Sequence, residues 1–190
     1  VIGSGGYWLI EQNPIWQSLD YLPDPEDWTV QDFSRQLLFF EHMHRYEPAK
    51  TIEMLQEQWA EFDKEQKVSF LNKIAESPDE TDAFFLENCL YENAAILREK
   101  AANSLSLFPN GPYAERIQMR AEALIEFQHG VISFNFPEEY DETIVSDGLL
   151  PSTNSSYANA IYLSRIFELT PPQFWQQMVD IPNFLSGVIQ

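Results

Sequence analysis

The sequence predicts an all-α fold, an α-solenoid of short antiparallel helix pairs, from three observations. Apolar residues recur at helical spacing from about residue 29 to residue 129. Proline, glycine and acidic stops divide that stretch into five to seven helices of three or four turns each. The loops between them are tight, and short helices that cannot bury a face alone must stack on their neighbours. No strict period is present, so the repeats are degenerate.

The elements follow in order. A glycine-containing lead-in at 3–6 precedes a helix at Tyr7–Glu11. Segment 29–46 opens with Thr29 and Asp32, spaced as in a capping box, and places Phe33, Leu37, Phe40 and Met43 on one face. Pro48 ends it. Segment 49–62 aligns Ile52, Leu55, Trp59 and Phe62, and segment 65–76 aligns Val68, Leu71 and Ile74. Ser77-Pro78-Asp79-Glu80 stops one helix and starts the next. Segment 80–91 is expected to bury Phe84, Phe85, Leu86 and Leu90. Segment 94–107 offers Ile96, Leu97, Ala101, Leu105 and Leu107 after a break at Glu92-Asn93. Pro109-Asn110-Gly111-Pro112 is a loop, and a helix over 112–129 starts on Pro112 and stops at Gly130. Residues 131–151 carry prolines, acids and a short alternation at Val131–Phe136, which predicts an extended crossing or small hairpin. Helices resume at 155–168 and 171–180. The expected division is a helical-repeat region at 1–129, then an irregular crossing with C-terminal helices at 130–190, packed on the same stack. A start at Val1 and an interrupted helix at the end point to a fragment of a longer protein.

Charge narrows the function classes. The net charge is −19, from 30 acidic and 11 basic residues, and such a surface repels phosphate backbones, so nucleic acid is not an expected partner. Residues 1–63 carry 12 acids and 3 bases, and residues 121–190 carry 9 and 1. The centre, 64–120, carries 9 and 7 and is nearly neutral. No apolar run approaches the length of a membrane span. A single cysteine, Cys89, rules out an internal disulfide, fits a cytoplasmic location, and reads most simply as a small buried hydrophobe.

The stretch ENCLYENAAILREKAANSLSLFP at 87–109 bears on the architecture. It resembles a HEAT-type repeat, in which an acid in the inter-helix turn precedes an aliphatic–arginine pair followed by alanine and leucine at helical spacing. Here these are Glu92, Leu97-Arg98, Ala101, Ala102 and Leu105. A carboxylate near the turn favours the positive helix end, and an arginine there can bridge back to the turn or to a neighbour. The longer run from Phe84 to Ala121 resembles a bacterial family of unknown function built from HEAT-like helices. That family carries a Leu-Pro-x-Ser-like loop, where this chain has Phe108-Pro109-Asn110-Gly111, and two arginines four apart, here Arg116 and Arg120. The stretches GSGGYWLIEQNPIW at the start and DGLLPSTNSSYANAIYLSRIFELTPPQFW near the end are similar to it as well. The resemblance implies a glycine and an arginine before the last of these helices, and Ser155 to Asn159 supply neither. It also implies a HEAT/armadillo-like solenoid and a partner in an AAA-type ATPase or von Willebrand factor A-domain system.

Catalytic chemistry finds thin support. GSGG at 3–6 lacks the GxGxxG spacing of a nucleotide loop. Two Glu-x-x-His pairs, Glu41/His44 and Glu126/His129, have the spacing that a di-iron bundle uses, because residues i and i+3 share a helix face. Both histidines fall at expected helix ends, before Pro48 and Gly130, where a histidine simply complements the helix dipole. His42 and His44 point to opposite sides of a helix and cannot share an ion. No serine elbow or cysteine–histidine pairing is present.

The constellation that stands out is Arg98, Arg116 and Arg120, with Lys100 nearby. The plain reading has these cations pairing with local carboxylates and stitching repeats together. The functional reading is a docking spot for an acidic peptide or phosphate. The expectation is therefore a non-enzymatic scaffold or adaptor without a cofactor, whose partner is a protein. The alternative is a metal-dependent, di-iron-like enzyme using the two Glu-x-x-His pairs. The five tryptophans read as core anchors.

Overall fold

The computed structural model describes residue 28 and residues 32–128, 131–154 and 156–178. The readings that fall on 1–27, Thr29, His129 and Gly130 lie outside these residues. Among the described residues the chain is mostly helical, with nine α-helices and one two-stranded antiparallel sheet.

Helix α1 (Phe33–Tyr46) is capped by Asp32 itself, whose carboxylate accepts from the Arg35 amide at 3.1 Å. Asp32, the second residue of the expected pair, is thus the cap, and Thr29 lies outside the described residues. Its buried stripe is Gln36, Phe39, Phe40 and His44, rotated from the expected one, so that Phe33, Leu37 and Met43 are half-buried at its edge. Helix α2 (Pro48–Gln58) starts on its proline and runs into a 3-10 turn at Trp59–Glu61. Helix α3 (Lys64–Glu76) opens with a full capping box, in which Asp63 and Gln66 each accept from the other's backbone amide. Its Phe70 is fully buried and touches the rings of Trp28, Phe33, Phe40 and Phe62.

Helix α4 (Ala83–Cys89) follows a 3-10 turn capped by Asp79. It buries Phe85, Leu86 and Cys89, but Phe84 is 74% exposed, against expectation, because its neighbours cover the opposite face. Helix α5 (Ala95–Leu105) packs on both α3 and α4. Leu97, Ala101, Ala102 and Leu105 are buried, whereas Ile96 and Leu107 point outward, correcting their expected place in the core.

Helix α6 (Pro112–Leu124) begins at Gly111-Pro112 as predicted but ends five residues earlier than the sequence indicates. At Ile125 the backbone turns extended (φ −111°, ψ 122°), and β1 (Ile125–Gln128) pairs with β2 (Val131–Phe134). The β-branched and aromatic residues of Ile125-Glu126-Phe127 favour a pleated strand. The expected small β segment is present and begins before residue 131. Helix α7 (Glu142–Ser146) is capped by Asp141, which accepts from the Thr143 and Ile144 amides. Helices α8 (Ala158–Leu169) and α9 (Pro172–Met178) close the described chain, with α8 packed on α6. One hydrophobic cluster runs from Trp28 to Phe174, so the helices on both sides of the hairpin share a core.

Candidate functional site

Arg98 sits one turn into α5 and is only 8% exposed. Its Nη1 donates to the carbonyls of Glu92 and Asn93 at 2.7 and 2.9 Å. Its Nε reaches Val145 O at 3.2 Å and its Nη2 reaches Pro151 O at 2.9 Å. The arginine therefore ties the turn before its own helix to the last turn of α7 and to the segment that follows it, about fifty residues away. It does bridge back to the turn, through carbonyls rather than through the Glu92 carboxylate. That carboxylate instead accepts from Trp59 Nε1 at 2.6 Å and from Lys67 Nζ at 2.9 Å. The first turn of α5 has no side-chain cap.

Arg116 and Arg120 lie one turn apart on α6 and converge on Asp147. Arg116 Nε donates to Oδ1 at 2.8 Å, and Arg120 donates from Nε and Nη2 to Oδ2 at 2.9 and 2.6 Å. Arg116 Nη2 also reaches Glu87 Oε2 on α4 at 2.9 Å, and Arg120 Nη2 reaches Thr143 Oγ1 at 3.0 Å. Burial pulls the Arg116 pKa down, but its bonds to Glu87 and Asp147 outweigh this and hold it above the ordinary arginine value. The Tyr113 hydroxyl, buried beneath them, donates to Asp147 O at 2.8 Å, and burial pushes its pKa well above the usual range. Burial also raises the Tyr162 hydroxyl, with Arg120 opposing the shift.

Gly148 makes this junction possible. It has φ +70°, and a Cβ there would lie 2.7 Å from Ala102 Cβ and 3.0 Å from Arg98 O. Only glycine combines that conformation with so close an approach to α5.

The three arginines, Asp147, Glu87 and Glu92 line a cleft of about 760 Å³. One side is the α4 end and the 90–93 turn, with exposed Tyr91 at the rim. The floor is Arg98, Arg116 and Arg120, and the other wall is 142–153. Within the floor, Glu92 is matched by Lys67, and Glu87 and Asp147 by Arg116 and Arg120, while Arg98 meets only carbonyl oxygens. Among the described residues the floor thus holds one cation, Arg98, that bonds to no carboxylate and is satisfied by carbonyl oxygens, in a chain of net charge −19. Glu142 stands at the exposed rim. The structure brings together three of the four cations singled out in the sequence. Lys100, half-exposed on α5, is not among the residues lining the cleft.

Sequence reasoning missed Asp147, the residue that organises the arginine pair. The only local signal for it was the turn dipeptide Asp147-Gly148 within a stretch otherwise read as irregular.

Of the two Glu-x-x-His pairs of the alternative reading, the structure describes only Glu41/His44 in full. His44 Nε2 lies 2.8 Å from Asp82 Oδ1, with both side chains essentially buried, and its ring stacks on Phe40. Glu41 instead pairs with Lys73 at 2.9 Å. Glu126 stands on strand β1 and not on a helix, and His129 lies outside the described residues. Among the described residues no cluster of three or more His, Cys, Asp or Glu has a metal-binding arrangement. Cys89 is buried, and burial pushes its thiol up to about 12. No helix among the described residues is long and apolar enough to cross a membrane.

Comparison with curated proteins and with solved structures gives no match. One family model, described as a family of unknown function, covers nearly the whole chain. The match runs over residues 1–183, and on that extent the chain belongs to the family of unknown function DUF5691.

Proposed function

We propose that this chain is a non-enzymatic protein-interaction module, a HEAT-like helical stack that docks an acidic segment of a protein partner in the arginine-floored cleft. The observation that carries this reading is the half-exposed guanidinium of Arg116 in the floor of an open cleft of about 760 Å³, whose Nη1 meets no acceptor among the described residues, within an otherwise strongly acidic chain. A docked carboxylate complements that charge, and arginine is the side chain best shaped to receive it. The alternate packing of α5 on α3 and α4, with Arg98 tying the inter-helix turn, supports a HEAT-like stack. Two of the described groups able to do nucleophilic or acid–base chemistry lie outside the cleft. The Cys89 thiol is buried and held protonated, and His44 is locked against Asp82 in the core.

On this reading the partner is an AAA-type ATPase or its A-domain companion in the cytoplasm, and nucleic acid, membrane and cofactor play no part. The test is calorimetric titration of the full-length chain with an AAA-type ATPase and a von Willebrand factor A-domain protein from the same organism. Arg116→Ala, at the most exposed of the three arginines, is the cleft variant, with its fold checked by circular dichroism. Saturable binding that weakens at least tenfold in Arg116→Ala supports docking in the cleft. Absence of binding to both proteins, or equal binding by the two forms, overturns it.

A further inference from the structure

The arginine network has a fixed inner part and an exchangeable outer arm. Asp147 is the fixed part: its carboxylate is 8% exposed and takes bonds from both Arg116 and Arg120. Glu87 is the outer arm. It reaches Arg116 by one bond across the mouth of the cleft, and the two side chains are 30% and 37% exposed. An ion pair this open to water contributes little to stability, so Glu87 can swing into solvent at small cost. Arg116 Nη1, which carries two further N–H groups, has no hydrogen-bond acceptor among the described residues.

We infer that Glu87 is an internal stand-in for a ligand carboxylate, which takes its place on Arg116. The inference rests on the docking role proposed above and names the group recognised. With Asp147 holding Nε, the Nη1–Nη2 edge of the same guanidinium remains available for an end-on, two-bond contact. An incoming Asp or Glu side chain makes two bonds where Glu87 makes one, and this difference drives the exchange. Arg98 is occupied by four carbonyls and Arg120 is turned to Asp147 and Thr143, so neither adds a donor set of the kind a phosphate dianion requires. The occupant is therefore a peptide segment of a protein bearing a carboxylate side chain. In the unliganded protein Glu87 competes with it and sets its affinity.

The experiment pans a random dodecapeptide phage library on the full chain, then measures the selected synthetic peptides by fluorescence anisotropy. The proteins compared are wild type, Glu87→Gln, Glu87→Ala and Arg116→Ala, each checked for a native melting transition. The expected peptides carry an Asp or Glu at one fixed position. They bind both Glu87 variants about two- to fivefold more tightly than wild type, the scale of one exposed ion pair, and lose binding when that acid is changed to its amide. Peptides that need Arg116 but bind wild type and both Glu87 variants equally would overturn the stand-in role while leaving docking in the cleft intact. Peptides indifferent to Arg116→Ala would overturn the docking reading itself. Displacement of the peptides by millimolar inorganic phosphate at constant ionic strength would overturn the carboxylate assignment.

Discussion

Replacing Arg98 is expected to loosen one wall of the cleft before it disturbs the helical core. Arg98→Met keeps an unbranched apolar stem and removes the guanidinium with its four bonds to Glu92 O, Asn93 O, Val145 O and Pro151 O. A hydrogen bond from a charged donor contributes about 1.5–3 kcal/mol net. Four such bonds do not add, because they share one cation whose desolvation works against them. The carbonyls lie beside an open cleft, so water can take over part of the loss. These offsets leave a cost of about 3 kcal/mol, and about 2 for Arg98→Lys, whose ammonium cannot span both anchor points at once. For a domain of this size, 3 kcal/mol lowers Tm by roughly 6–12 °C. The assay is thermal and urea unfolding combined with native-state hydrogen exchange, which should show lost protection over 143–151 and little change in α3. A cost below about 1 kcal/mol for Arg98→Met with unchanged protection over 143–151 would refute the reasoning.

Three further outcomes follow from the same geometry. Gly148→Ala puts a methyl group 2.7 Å from Ala102 Cβ at φ +70°, and is expected to cost about 2–4 kcal/mol in urea unfolding. Asp147→Asn leaves two arginines facing a neutral amide and should cost about 2–4 kcal/mol; the isosteric amide keeps the shape, so a smaller cost with high-salt insensitivity would count against a charge role. For Cys89, the buried thiol has its pKa raised to about 12, so the folded chain keeps a proton that the unfolded chain releases from about pH 9. Stability from this group is complete below about pH 9 and falls by about 1.4 kcal/mol per pH unit towards 12. Denaturant midpoints between pH 8 and 11 should show that slope in wild type and a shallower one in Cys89→Ala.

The parts of the fold legible in the sequence are those written locally. Pro48, Ser77-Pro78 and Pro112 punctuate the helices where their ring geometry demands it, and the helices begin within a few residues of those marks. Which face each helix buries was less legible, because it depends on where neighbours lie. Phe84 and Phe85 are adjacent and equally apolar, yet only Phe85 meets Trp59 and the core. The switch at Ile125 was hidden for a related reason. A run of good helix formers ends there in a segment whose pairing with 131–134 is a contact between two strands and not a property of either.

The cleft divides the same way. Its arginines could be read from their spacing on two helices, whereas Asp147 and the carbonyls of Val145 and Pro151 come from a stretch with no regular period. That stretch buries Ile144, Val145, Leu149 and Leu150, but α7 spans only 142–146 and is too short to hold itself as a helix. What seats it against α5 and α6 is therefore apolar, through those four side chains and the close approach of Gly148 to Ala102, and also polar, through Arg98 on its carbonyls and the arginine pair on Asp147. The arginines that floor the cleft therefore also help to hold its opposite wall. A variant that strips Arg98 or Arg120 removes both functions at once, and its loss of binding would not distinguish a missing contact from a missing wall. Glu87 and the outer edge of Arg116 are the places where recognition can be altered while the wall stays in place, because Asp147 keeps its bonds to Arg120 when either changes.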